Sequence, residues 1–225
     1  RSDVCSIESA SCCSIHDEQG RRLPSAKQGS TLSFIACKVP SKGWKRYRLG
    51  SQEIKMEPPF KWNEPKLSTP YYEVVFADDG SLVHLYDKQQ GRDVLAKDGR
   101  GNVFSLAVDH PSQFDAWNIG KQGVVMQYAL DSEVHYRVRS CSELGITLEA
   151  TWTWLKSTYS QQITFHAHSK RIDFNLHVDW REDHLMLRTA FSVDVRSPRA
   201  SYDIAYGVCE RTTHANTSWD EVQFE

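Results

Sequence analysis

Between Ile146 and Trp154 apolar and polar residues alternate without interruption, and they do so again from Ile172 to Trp180. In the first run Ile146, Leu148, Ala150, Trp152 and Trp154 are separated by Thr147, Glu149, Thr151 and Thr153. In the second, Ile172, Phe174, Leu176, Val178 and Trp180 are separated by Asp173, Asn175, His177 and Asp179. Successive strand side chains point to opposite faces, so each run predicts a strand with one buried and one wet face. Val134, Tyr136 and Val138 give a shorter example. Turn signals fall between the runs at Asp78-Asp79-Gly80, Gln90-Gly91, Asp98-Gly99 and Ser197-Pro198. No amphipathic helix of three turns is evident. Many strands at short spacing without intervening helices predict an all-β, antiparallel sandwich or supersandwich and exclude a parallel α/β fold. Within that pattern Trp180 and Trp219 read as core residues.

The rhythm breaks between Glu53 and Pro70, where Pro58, Pro59, Pro65 and Pro70 cluster. Proline cannot donate to an interior ladder, so residues 53–70 read as a proline-rich linker. Residues 1–52, with strand-like segments at Thr31–Val39 and Gly43–Leu49, are expected to end a small β-sandwich-type domain. Residues 71–225 are expected to form the large β domain.

With a formal charge of −2 and no basic block, the chain lacks the clustered Lys and Arg that a phosphate backbone demands. Nucleic acid is therefore not an expected partner. No run approaches the roughly 18 apolar residues of a membrane span, and no secretory leader is apparent, so no membrane partner is expected either. The six cysteines, Cys5, Cys12, Cys13, Cys37, Cys141 and Cys209, form no CxxC pair. A disulfide scaffold would be denser and shorter, which points to free thiols in a reducing compartment, the cytoplasm. Seven Trp and nine Tyr suit strands and also stack on sugar faces.

Several segments carry a family resemblance in a fixed order. Tyr72-Glu73-Val74-Val75-Phe76, Asp79-Gly80-Ser81-Leu82, Tyr86-Asp87 and Gly91-Arg92-Asp93-Val94-Leu95 come first. Phe114-Asp115-Ala116-Trp117-Asn118-Ile119 follows, then Arg171-Ile172-Asp173-Phe174 with Val178-Asp179-Trp180, Glu182 and His184. Last come Tyr202-Asp203-Ile204, Tyr206-Gly207, Glu210-Arg211, Thr213-His214 and Asn216-Thr217-Ser218-Trp219-Asp220. Together these resemble the large β domain of glycoside hydrolase family 38, the α-mannosidases. The resemblance covers Tyr71–Glu225. It implies a supersandwich like that of galactose mutarotase, preceded here by part of a small β domain, and the FDAW form implies the cytosolic and bacterial branch. It also implies a parent enzyme that hydrolyses α-mannosides with retention, using one zinc and an Asp nucleophile in an N-terminal catalytic domain. The chain would then be a piece of that parent, starting at Arg1 past the catalytic domain and stopping at Phe224-Glu225 inside a further element. Its partners would be that catalytic domain and the α-mannoside substrate; no cofactor is expected in the piece itself.

Spacing alone assigns no chemistry. A retaining glycosidase sets two carboxylates about 5–5.5 Å apart. Asp173 and Asp179 share a strand face but lie about 20 Å apart at strand rise, and Glu182 falls in the turn beyond. No catalytic residue is assigned. His166-Ala167-His168 places two imidazoles on one face, a spacing zinc can use, but no third ligand is near in sequence. The opposite face carries Ile163, Phe165 and Ala167, so the His face reads as solvated surface and no metal site is assigned.

The candidates for substrate binding are Asp115, Trp117 and Arg211. Asp115 and Trp117 follow Pro111-Ser112 and so sit in a loop, where an aromatic is often a ligand platform. By the resemblance, a tyrosine of the Golgi-type enzymes reaches the sugar from the place of Trp117, and Arg211 matches an arginine that also lines the sugar site. The alternative is that Trp117 is a structural plug and Arg211 an ion-pair partner of Asp115 or Glu210. At the level of function, the expected role is a non-catalytic β region that supports the catalytic domain and lines the rim of the mannose site. A freestanding carbohydrate-binding or docking module is the alternative, and a mutarotase-type epimerase is a third reading.

Overall fold

The computed structural model describes residues 2–9, 11–52, 56–110, 113–114, 133–214 and 216–221. Every strand pairing in it is antiparallel, and the one helix among the described residues is the single turn α1 (Ser218–Glu221). The all-β, antiparallel architecture expected from the alternation is thus what the structure shows.

The first fifty residues build two three-stranded sheets. β1 (Asp3–Glu8), β5 (Thr31–Ala36) and β4 (Ser25–Gln28) form one, with β5 central. β3 (Arg22–Leu23), β2 (Ser14–His16) and β6 (Arg48–Gly50) form the other. Between them sit Ile15, Leu32, Phe34 and Ala36, with Tyr47 packed edge-on to Phe34 at 5.1 Å between ring centroids. This is a small core.

The stretch 53–70 is a correction to the linker expectation. β7 (Lys61–Asn63) and β8 (Lys66–Ser68) lie inside it and join β9 (Tyr72–Phe76), β10 (Leu82–Asp87) and β11 (Arg92–Asp93) in a five-stranded sheet, order β11-β10-β9-β8-β7. The prolines obey the ladder rule nonetheless. Pro65 occupies the turn between β7 and β8, where its carbonyl accepts from the Phe76 amide, and Pro70 falls between β8 and β9. Leu67 is fully buried, opposite Val74 of β9 in the ladder.

Two long strands make the centre of the molecule. β14 (Gly145–Trp154) and β15 (Ser157–His166) pair over their full length, from Gly145 opposite His166 to Trp154 opposite Ser157. β13 (Arg137–Cys141) flanks β14 and β16 (Ile172–Asp179) flanks β15, giving the order β13-β14-β15-β16. Ile146, Leu148, Trp152 and Trp154 turn inward with Tyr159, Ile163 and Phe165, and they meet Leu67, Val74, Phe76 and Leu82 of the five-stranded sheet in one core. Trp152 stacks on Tyr159 nearly parallel, with centroids 5.5 Å apart. β12 (Val103–Val108) pairs with β17 (Leu185–Ala190), and β18 (Arg199–Ile204) with β19 (Gly207–Thr212) in a ribbon of its own.

Two further expectations are corrected. Trp180 is half-exposed and Trp219 is 80% exposed, so neither is core. Trp180 continues the alternation of β16 but lies past its last paired residue, and Trp219 sits on α1. Val134 and Tyr136 are buried as the alternation implies, although the strand proper begins only at Arg137.

A charged clamp joins the N-terminal sheets to the larger core. Arg22 donates to Glu143 through both terminal nitrogens, at 2.8 and 2.6 Å, and the Ser25 amide donates to the same carboxylate at 3.2 Å. Both side chains are nearly out of solvent, at 13% and 12% exposure. Removing one member of a buried fork leaves the other charge without compensation, typically at about 3–5 kcal/mol. Glu143→Ala is therefore expected to loosen residues 2–52 selectively. Limited proteolysis should cut the variant ahead of Met56 far faster than the wild type while β14–β15 stay intact. Equal cleavage rates would show that the clamp does not hold the unit.

Candidate functional site

Of the three residues singled out for substrate binding, Asp115 and Trp117 lie outside the described residues, and Arg211 lies on β19. There it is half-buried and opposite Ala200, on the same ribbon face as Tyr202 and Cys209. Its neighbour Glu210 points to the other face, where the carboxylate meets Arg199 at 3.1 Å.

A dense array of charged and hydrogen-bonding groups that sequence reading did not assemble lies on the outer face of the β13-β14-β15-β16 sheet. Register places Thr147, Thr164 and Asp173 on one rung, and Glu149, Gln162 and Asn175 on the next. Thr151, Ser160 and His177 follow. The Thr147 and Thr164 hydroxyls bond each other at 2.9 Å. A groove runs along Gln162, Thr164, Arg171, Asp173 and Asn175. Since this face carries all the polar members of the alternating runs, its composition was legible; the cross-strand partners were not.

Two ion-pair centres organise the face. Glu149 accepts from Arg137 at 2.8 Å, from Arg139, and from Gln162 at 3.1 Å. Hydrogen bonds from Arg137 and then Arg139 hold its carboxyl below the usual range against an opposing effect of burial. Asp173 accepts from His166 Nε2 at 2.6 Å and from Arg171 Nε at 2.5 Å. Burial pushes Asp173 up, but the bonds from His166 and Arg171 outweigh it and the net shift is down. His168 lies edge-on to His166 at 5.5 Å, and burial followed by the charge of His166 lowers its pKa.

The same direction holds elsewhere. In Asp87 a hydrogen bond from Lys170 leads the lowering; in Asp17 and Glu73 burial acts upward, and bonds from Arg21 or Lys88 overcome it. A glycosidase acid needs a carboxyl pushed the other way, so that it holds a proton near neutral pH. These five carboxylates are instead anchored anions, which suits structural ion pairs. Among the described residues no three His, Cys, Asp or Glu side chains are placed to hold a metal ion. His166 Nε2 is moreover committed to Asp173.

Comparison with known proteins fits this picture of a β scaffold. Residues 67–225 match the model described as "Glycosyl hydrolases family 38 C-terminal domain". Alpha-mannosidase 2C1 of Homo sapiens is 32% identical over 155 residues, covering 65% of this chain and 14% of the relative. The Mus musculus protein of that name gives the same figures. Alpha-mannosidase G of Dictyostelium discoideum is 30% identical over 170 residues, or 71% of this chain and 15% of the relative. The chain thus spans about one seventh of the length of these relatives.

Anchored carboxylates tie stability to pH with a definite sign. A group whose pKa is lowered by folding stabilises the fold above its unfolded pKa, and that contribution disappears as pH falls through the folded value. Resistance to urea should therefore hold from neutrality down to the ordinary carboxylate range, near pH 4.5 for Glu149, and decline below it. Glu149→Gln should be less stable at pH 7 and show a shallower decline on acidification. A variant with an unchanged acid slope would show that Glu149 is not held as an anion by its arginines.

Proposed function

The chain belongs to the family of the glycosyl hydrolases family 38 C-terminal domain, and from that premise we propose that it is the β region of a retaining, zinc-dependent α-mannosidase. In this reading the enzyme removes terminal α-mannose residues in the cytoplasm. The acid, the nucleophile and the zinc belong to its catalytic domain. The present chain supports that domain and lines the rim of the sugar site. The observation that carries the reading is the family match over residues 67–225, where Asp87, Glu149 and Asp173 are each anchored as anions.

The described residues do not fit the zinc that the family implies. Two pairs of imidazoles lie side by side, His166 with His168 and His110 with His184, but among the described residues neither has a third ligand, and His166 is hydrogen-bonded to Asp173. What this chain contributes is position and contact. Arg211 brings a permanent cation, able to fork two hydrogen bonds to vicinal hydroxyls. Asp115 and Trp117 add a carboxylate acceptor and an apolar ring face, the pairing by which proteins commonly grip a sugar.

A single substitution in the full-length enzyme tests the rim role. Trp117→Ala should lower kcat/KM on an aryl α-mannoside by about tenfold or more, the equivalent of about 1–3 kcal/mol of transition-state binding, with little change in melting temperature. If Trp117 is a structural plug, the same change opens a cavity worth about 3–5 kcal/mol of folding stability and leaves the kinetics of the folded enzyme near normal. A large loss of stability with normal kcat/KM would end the rim assignment.

A further inference from the structure

The two edges of the β13-β14-β15-β16 sheet are built very differently. β13 is short, carries Arg137 and Arg139, and has a register shift between Val138 and Ser140. Bulges, short length and charge are the usual devices that keep an edge from pairing with another strand. β16 has no bulge and is longer, and its charged side chains are Asp173 and Asp179. It runs eight residues, contains neither Lys nor Pro, and keeps unbroken register with β15 from Ile172 to Asp179. Among the described residues β15 is its one strand partner. Asn175, His177 and Asp179 are exposed along it, and Ile172, Phe174, Leu176 and Val178 are half-buried. The groove beside this edge is open to solvent.

The sequence of the strand is complementary to itself. Laid antiparallel across a two-fold axis through Asn175, two copies place Arg171 opposite Asp179, Ile172 opposite Val178, Asp173 opposite His177 and Phe174 opposite Leu176. Every pair joins opposite charges, or a carboxylate with an imidazole, or two apolar side chains. Centring on Leu176 instead would set Asp173 against Asp179. A one-residue slip would set polar against apolar faces. The bonds already present do not obstruct the first arrangement. Each Asp173 oxygen accepts one hydrogen bond, from His166 or Arg171, and can accept a second from the partner strand. The Asp179 pair with Arg181 is exposed and weakly held.

We propose that the outer edge of β16 is an interface for a second copy of this protein, paired antiparallel about Asn175. Strand addition then joins two four-stranded sheets into one continuous sheet across a two-fold axis. Backbone hydrogen bonds supply most of the attraction and the four flanking pairs fix the register. The contact is small, so the dimer forms reversibly and with modest affinity.

Cysteine substitution in the full-length protein reads the register directly. In Asn175→Cys the two thiols face each other across the axis, with Cα atoms about 4.5–5.5 Å apart, within disulfide reach. In His177→Cys they are offset by four residues, about 13 Å, and out of reach. Under mild oxidation Asn175→Cys should give a covalent dimer well above the background of the native thiols, while His177→Cys should match the wild type. His177→Glu sets a second carboxylate opposite each Asp173, and sedimentation should show association weakened by about tenfold. A protein that sediments as a monomer at every concentration reached would overturn the proposal. So would a dimer in which Asn175→Cys stays reduced, the result expected if another strand of the full-length chain or a different partner covers this edge.

Discussion

Gln161 and Asn102 exchange hydrogen bonds through their side-chain amides in the middle of the core, at 2.9 and 3.0 Å. The Gln161 oxygen also takes the Tyr136 hydroxyl at 2.8 Å, and that hydroxyl lies 3.2 Å from the Gly80 carbonyl. Four segments meet at this point: the β9–β10 turn, the approach to β12, the approach to β13, and β15. Apolar burial is non-directional and would tolerate several sheet placements; a buried amide pair would not, because each lost partner exposes an unsatisfied group at about 1–3 kcal/mol. The backbone is shaped around it. Gly80 has φ +76°, and a Cβ there would meet Val134 at 2.9 Å. Asn102 adopts the left-handed region at φ +55°, which Asn tolerates better than most residues. Burial raises the Tyr136 pKa far above its ordinary value, so the hydroxyl stays protonated and donates well into the alkaline range.

Much of this fold was legible in the residues. β14 and β16 follow from period-two alternation because each has one wet face, and the Asp-Asp-Gly and Gln-Gly pairs mark real turns. β7 and β8 were missed because three residues cannot display a period, and because a cluster of prolines looks the same whether it spans a linker or punctuates short strands. Trp180 was misread because alternation in sequence can outrun the ladder that gives it meaning. The ion-pair centres were invisible for another reason. His166 and Asp173 become neighbours through the β15–β16 register, and Arg22 meets Glu143 across 121 positions. No local pattern encodes either. Of the candidate sugar-site residues, Arg211 can be placed on its ribbon; Asp115 and Trp117 rest on the resemblance of their motif alone.

The functional reading follows from what these side chains are already committed to. Carboxylates held by arginines, lysines and histidines stiffen a sheet, and the same bonds disqualify them as proton donors. A scaffold of this kind serves an enzyme by holding surfaces in place. Exposed aromatic and aliphatic residues at Phe191, Val193, Ile204, Tyr206 and Val208 can make such contact. On this view the chemistry of the proposed mannosidase and the geometry of its sugar site come from different parts of the protein, joined through the β region.

The division of labour is tested most directly by purifying this chain alone, free of host mannosidase, and measuring both aryl α-mannoside hydrolysis and bound zinc. No turnover and no stoichiometric zinc are the expected results. Hydrolysis that a chelator abolishes, accompanied by zinc that copurifies with the chain, would contradict the account and return the active site to these residues.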